Sequence, residues 1–172
     1  MTQIGVGLGT RAETEADSAF GWLFRDEYPA IVRTAYLMLG DRSAAEDVAQ
    51  EAFIRLYARW RRISRYERPG AWVRRVAIRL ASRARRRIPP AQPSADHPAP
   101  TAAPADLDLQ RAILALPANQ RAAVVLHYLE DLPVEEVAEL MGVAPATARV
   151  HLHRARRRLA TLLGEETEDV VG

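Results

Sequence analysis

The apolar positions of the chain recur at helical spacing in block after block. Between about Asp17 and Leu39, the residues Phe20, Leu23, Phe24, Ile31, Ala35 and Leu39 form one apolar face, with a break or restart expected at Pro29 and an end at Gly40. Ser43-Ala44-Ala45-Glu46 has the form of a capping box, with Ser43 as N-cap and Glu46 at N3. The helix it opens turns Val48, Ala52, Phe53, Leu56 and Tyr57 to one side. A further helix is expected from Ala71 to about Arg87, with Trp72, Val76, Leu80, Val73 and Ala77 inward. In the second half, one helix opens at Asp106-Leu107 and runs to about Leu116; another starts at Pro117 and reaches His127 or Tyr128. Ala123, Val124, Leu126 and Leu129 are its expected core.

The stretch from Leu132 to Leu162 is the most informative. Val134, Val137, Ala138 and Met141 fall at i, i+3, i+4 and i+7, and Gly142 follows where a helix C′ residue needs positive φ. Pro145 suits the first position of the next helix, which turns Ala148, Leu152, Ala155, Leu159 and Leu162 inward. Two short helices, a tight glycine turn and a basic second helix predict a helix-turn-helix, whose second helix enters the major groove of DNA. An ordinary helical hairpin shares the spacing. Five arginines and no acid from Arg149 to Arg158 favour DNA.

Between the two halves, residues 88–105 hold six prolines and predict a flexible Pro/Ala-rich linker. Residues 1–15 lack periodicity and are expected to be disordered, and the acidic tail at 164–172 to fray. The expectation is an all-α chain of two small helical domains, at residues 16–87 and 106–163. Gly5-Val6-Gly7-Leu8-Gly9 resembles a nucleotide loop only superficially, because no strand or βαβ unit surrounds it.

Charge sharpens the picture. The net charge of +2 over 172 residues conceals a block at 55–87 with thirteen arginines against Glu67 alone. Like charges packed at helical spacing repel, and a polyanionic partner is the simplest reason to tolerate them. From Arg59 to Gly70, the aromatics Trp60, Tyr66 and Trp72 lie in or beside a run with Arg59, Arg61, Arg62, Arg65 and Arg68. Flat rings can stack on unpaired bases while guanidiniums hold the backbone, although Trp60 and Trp72 could equally be core. Asp47, Gln50 and Glu51 share one exposed helix face, either a solvated acidic stripe or a docking surface for a basic partner.

Composition excludes other classes. The chain has no cysteine, so disulfides and Cys-ligated metals are ruled out. His151 and His153 are two apart on a helix and point to different faces, so no metal site is expected with His127. No apolar run approaches a membrane span, the start does not read as a signal peptide, and a soluble cytoplasmic protein without cofactor is expected. No set of catalytic side chains stands out.

AEDVAQEAFIRLY, then PGAWVRRVAIRLASRARRR, then the Pro-rich segment, then LPANQRAAVVLHYLEDLPVEEVAELMGVAPATARVHLHRARRRL together resemble an extracytoplasmic-function sigma factor of bacterial RNA polymerase, of the sigma-70 family. The resemblance covers roughly residues 19–163. It implies a promoter-specificity subunit, not an enzyme, that binds core polymerase and helps melt the minus-ten region. The implied partners are the clamp of the beta-prime subunit, the flap of the beta subunit, promoter DNA and an anti-sigma factor, with a monomer when free. Asp47, Gln50 and Glu51 match the segment that binds the clamp helices. The loop with Arg61, Arg62, Arg65 and Tyr66, and Trp72 beyond it, matches the segment that captures a flipped-out non-template base. Arg75 and Arg79 match the helix flanking the melted duplex. Thr147, Arg149, His151 and Arg154 match the recognition helix for the minus-thirty-five element.

The chain departs from the family pattern at Arg79 and Arg83, where Asn and Asp are usual, which adds positive charge. It departs again at Val150 and His151, where Ser and Arg are usual, which removes donors from the recognition helix. A conventional helix-turn-helix regulator would explain 106–163 but leave the basic block and the acidic face without a purpose.

Overall fold

The computed structural model describes the backbone at 7–87 and 104–164 and the side chains at 17–87 and 107–164. Most of the expected linker and parts of both expected tails lie outside the described residues. All described elements are helical: α1 (Gly7–Leu39), α2 (Arg42–Tyr57), α3 (Trp60–Ile63), α4 (Pro69–Arg87), α5 (Pro104–Leu114), α6 (Ala118–Val124), a π-helical turn (Val125–Leu129), α7 (Val134–Met141) and α8 (Pro145–Leu162).

The first half packs α1 against α2 and α4. α1 is one helix of 33 residues that runs through Pro29 and begins inside the stretch expected to be disordered. Pro29 removes one hydrogen bond, but Arg25 and Pro29 are both exposed, so the freed carbonyl faces water. Gly40 follows at φ 72°, and α2 starts at once. Its N-cap is Asp41, not Ser43: Asp41 Oδ1 accepts from Ala44 N at 2.8 Å. Glu46 pairs instead with Arg42 at 2.9 Å. Tyr57, expected inside, is 61% exposed. On α4 the deepest apolar side chains are Val73, Ala77, Ile78 and Ala81, while Trp72, Val76 and Leu80 are half-buried beside them. The stripe is rotated because small Ala77 and Ala81 allow closer approach than the large side chains do.

Glu27 is buried and holds Arg74 across the α1–α4 contact. Gly70, in the first turn of α4, packs directly on the Glu27 carboxylate. Gly70→Ala therefore pushes Glu27 off Arg74 and is expected to cost about 1–3 kcal/mol, read as a lower melting temperature.

The second half follows the expected punctuation closely. Val137, Ala138 and Met141 of α7 pack on Ala148, Leu152 and Ala155 of α8, with Gly142 between them at φ 71°. Leu162, expected inward, is 47% exposed at the end of α8. Between α6 and α7 the chain makes the π turn, where Glu130 N donates to Val125 O, five residues back, at 3.1 Å. The buried residues of both halves form one continuous cluster, with α1 against α6 and α4 against α7.

Candidate nucleic-acid interface

On α2, Asp47 and Gln50 are exposed and Glu51 is half-buried. Glu51 Oε1 accepts from Arg55 Nε at 2.7 Å, which orients the carboxylate along the helix. Ile54, at i+7 from Asp47, continues this face and is 63% exposed. The i, i+3, i+4, i+7 spacing was the signal for it, but an exposed isoleucine is easily assigned to a core. A groove beside the face runs between Asp47, Val48, Glu51 and Arg55 of α2 and Leu80, Arg83, Ala84 and Arg87 of α4.

The basic loop divides its aromatics between two tasks. α3 is a single turn whose i and i+3 residues, Trp60 and Ile63, both point into the core. The Trp60 ring meets Phe20 edge-on at 5.3 Å, so it is unavailable to a base. Tyr66 is on the surface, where its hydroxyl accepts from Arg62 Nε at 3.2 Å. Arg61 and Arg65 are exposed beside it. Tyr66 is thus the accessible ring of the loop, with Trp72 half-buried.

Arg75 and Arg79 lie one turn apart on the outer side of α4. Arg75 Nη2 reaches Glu136 Oε1 of α7 at 3.1 Å. Arg85, further along, donates to Asn119 Oδ1 at 2.7 Å and to the Met141 carbonyl at 3.4 Å. Burial, then the charges of Arg86 and Arg121, push its pKa down, and its Nε has no partner among the described residues. Arg74, three turns earlier on α4, is pulled the other way, chiefly by its hydrogen bond to Glu27.

On α8, Thr147, Arg149, Val150 and Arg154 are exposed and His151 is half-buried. Arg149 Nη2 pairs with Glu135 Oε1 at 2.9 Å, with both side chains more than half exposed. Such a pair contributes at most about 1 kcal/mol and yields readily to a phosphate or a base edge. Burial, then Arg154, then Arg85 push the His151 pKa down. The ring is therefore neutral at pH 7 and offers one donor, where an arginine would offer five. Arg85 stands on α4, so the charge reaching His151 comes from the other half of the chain. No local pattern along the chain signals that proximity.

Two family models match the chain: Sigma-70 region 2 over residues 23–88 and Sigma-70, region 4 over residues 106–159. Among curated relatives, the extracytoplasmic-function RNA polymerase sigma factor SigE of Mycolicibacterium smegmatis is 32% identical over 86% of this chain and 62% of its own length. SigW of Bacillus subtilis is 31% identical over 75% of this chain and 80% of its own length. The RNA polymerase sigma-E factor of Streptomyces avermitilis is 35% identical over 78% and 79%. Among solved structures, the sigma factor RpoE in complex with the anti-sigma factor NepR from Bartonella quintana shares the fold, with a TM-score of 0.55 at 23% identity, covering 86% of this chain and 98% of that one. Two matched regions in the family's order, an exposed basic block and a helix-turn-helix bring these findings to one conclusion: the chain belongs to the extracytoplasmic-function sigma factors of the sigma-70 family, non-enzymatic DNA-binding factors of transcription initiation.

Proposed function

We propose that the two halves divide promoter recognition between them. Asp47, Gln50 and Glu51 dock on basic helices of the beta-prime clamp, and Ile54 adds an apolar contact at the end of the same face. Arg61, Arg62, Arg65 and Tyr66, with Trp72 at the base of the loop, capture a base extruded from the minus-ten element, while Arg75 and Arg79 hold the flanking strand. Thr147, Arg149, His151 and Arg154 read the minus-thirty-five element, with the beta flap holding the helix-turn-helix. An anti-sigma factor is a further proposed partner, as one is of the Bartonella RpoE.

The observation that carries this reading is the sorting of side chains in the first half. A carboxylate-bearing face on α2 and an exposed arginine–tyrosine loop occur in one small helical unit. A duplex-binding regulator has use for neither. Run-off transcription with core polymerase on a genomic promoter library tests it. Transcripts appearing only with this chain, from start sites sharing two spaced upstream elements, support the reading; no transcripts and no co-elution with core polymerase overturn it.

Arg149→Ala is expected to weaken binding of the upstream duplex by about 1–3 kcal/mol. Competition binding across single-base variants of that duplex locates the effect. Discrimination lost at one base pair marks a base contact; a uniform loss assigns Arg149 to phosphate.

A further inference from the structure

The loop between α3 and α4 is held at its ends. Ser64, Arg65, Tyr66, Glu67 and Arg68 are all exposed, so no burial of their own fixes their path. Backbone bonds from Arg65 N to Arg62 O and from Tyr66 N to Ile63 O tie Tyr66 to α3, and Trp60 and Ile63 sink α3 into the core. Trp72, Arg75 and Arg79 ride on α4 instead. The gap between these two sets of groups is therefore set by where α3 and α4 are each seated.

α1 seats both. Phe20 meets Trp60 edge-on, and Glu27 lies under the first turn of α4. Positions i and i+7 share a helix face about 10 Å apart along its axis, so one segment of α1 carries both seats. The seat of α4 is polar. Glu27 is buried and grips α4 at two points a turn apart: its Oε2 accepts from Arg74 Nε, and its Oε1 packs against Gly70, where a Cβ would overlap it. The same carboxylate lies at the positive end of a 19-residue helix. Purely apolar packing tolerates a small slide of one helix on another. A carboxylate with a directed guanidinium partner and no room for a methyl group does not.

We propose that Glu27 is a positioning residue for base capture, fixing the distance from Tyr66 to Trp72 and Arg75 at which an extruded base is gripped. The proposal rests on reading that loop as the base-capturing one. Glu27 is buried and touches no DNA in this role. It governs which base is accepted, not whether a strand is held. Groups that stand too far apart still attract a strand through the surrounding arginines, but they no longer select among its bases.

The test is selection from a duplex whose central unpaired bubble is randomised on one strand, using the full chain in complex with core polymerase. Base enrichment is a ratio within one sample, so a partly unfolded variant captures less DNA without changing that ratio. Glu27→Asp shortens the arm by one methylene and keeps the charge. It is expected to lower the enrichment at the most selective position at least about fivefold. Gly70→Ala is expected to do the same from the other side of the contact. In the Glu27→Asp/Gly70→Ala double variant the added methyl fills the space left by the shorter arm, and most of the preference should return. Met38→Ala, which empties a fully buried position at the far end of α1, is the control. It should lower the melting temperature and leave the enrichment as in the unaltered chain. Undiminished enrichment in both single variants overturns the role of Glu27, as does an equal loss in Met38→Ala or a double variant no better than the singles. An unaltered chain that enriches no base overturns the base-capture reading and the proposal with it. If no complex forms with core polymerase, the polymerase reading fails, and the same selection with the chain alone decides the role of Glu27.

Discussion

Asp47→Arg is expected to abolish association with core polymerase while the variant melts at the wild-type temperature. Asp47 is exposed in the middle of α2 and makes no ion pair among the described residues, so its removal leaves the fold's contacts in place. Arginine is a good helix former, and Glu51 one turn on can accept it. Against a basic clamp helix, the same change turns an attraction into a like-charge contact. That costs several kcal/mol, so affinity should fall more than about 100-fold. Co-elution with core polymerase reads the loss, and circular dichroism reads the fold. Binding that survives would move the polymerase contact off this face.

Trp60→Ala should have the largest effect on stability. The indole is 7% exposed and lies edge-on to Phe20, which also meets Phe53 at 6.2 Å and Tyr57 at 5.2 Å. Truncation leaves a cavity at the junction of α1, α2 and α3 and is expected to cost about 3–5 kcal/mol. A typical domain has only about 5–15 kcal/mol of stability to lose. Tyr66→Ala is the control from the same loop. With an exposed ring, it should shift stability by less than about 0.5 kcal/mol, and lower affinity for single-stranded DNA instead. Thermal melts of the two variants separate the aromatic that builds the loop from the one that can meet a base.

These two residues also show where sequence reasoning reaches and where it stops. The helix-turn-helix was legible because its signals are local: Gly142 supplies the positive φ and Pro145 opens α8. The acidic face of α2 was legible for the same reason, since i, i+3 and i+4 residues must share a side. Trp60 was ambiguous because whether a basic aromatic run turns inward depends on α3, a single helical turn with no periodicity to detect. Asp41, the N-cap that Gly40 positions, is masked in the sequence by the capping-box pattern two residues later. The break expected at Pro29 overweighted a single lost hydrogen bond against the buried face running through it. The contact of α1 and α4 with the second half left no trace at all. Thr34 and Glu130 are 96 positions apart, and Arg75 and Glu136 are 61 apart. Neither pair carries a pattern that a window along the chain can see.

The π turn at Val125–Leu129 bears on how the contact between the two halves arises. A bond spanning five residues encloses one residue more than an α-helical bond does, so the turn has the form of a one-residue insertion absorbed without breaking the helix. Deleting any single residue there would heal the helix and rotate everything downstream by about 100°. The helix-turn-helix would keep its own core, but Glu130 and Glu136 would swing away from Thr34 and Arg75. A change of one codon triplet in length, with no charge altered, would decide whether the chain can fold back on itself.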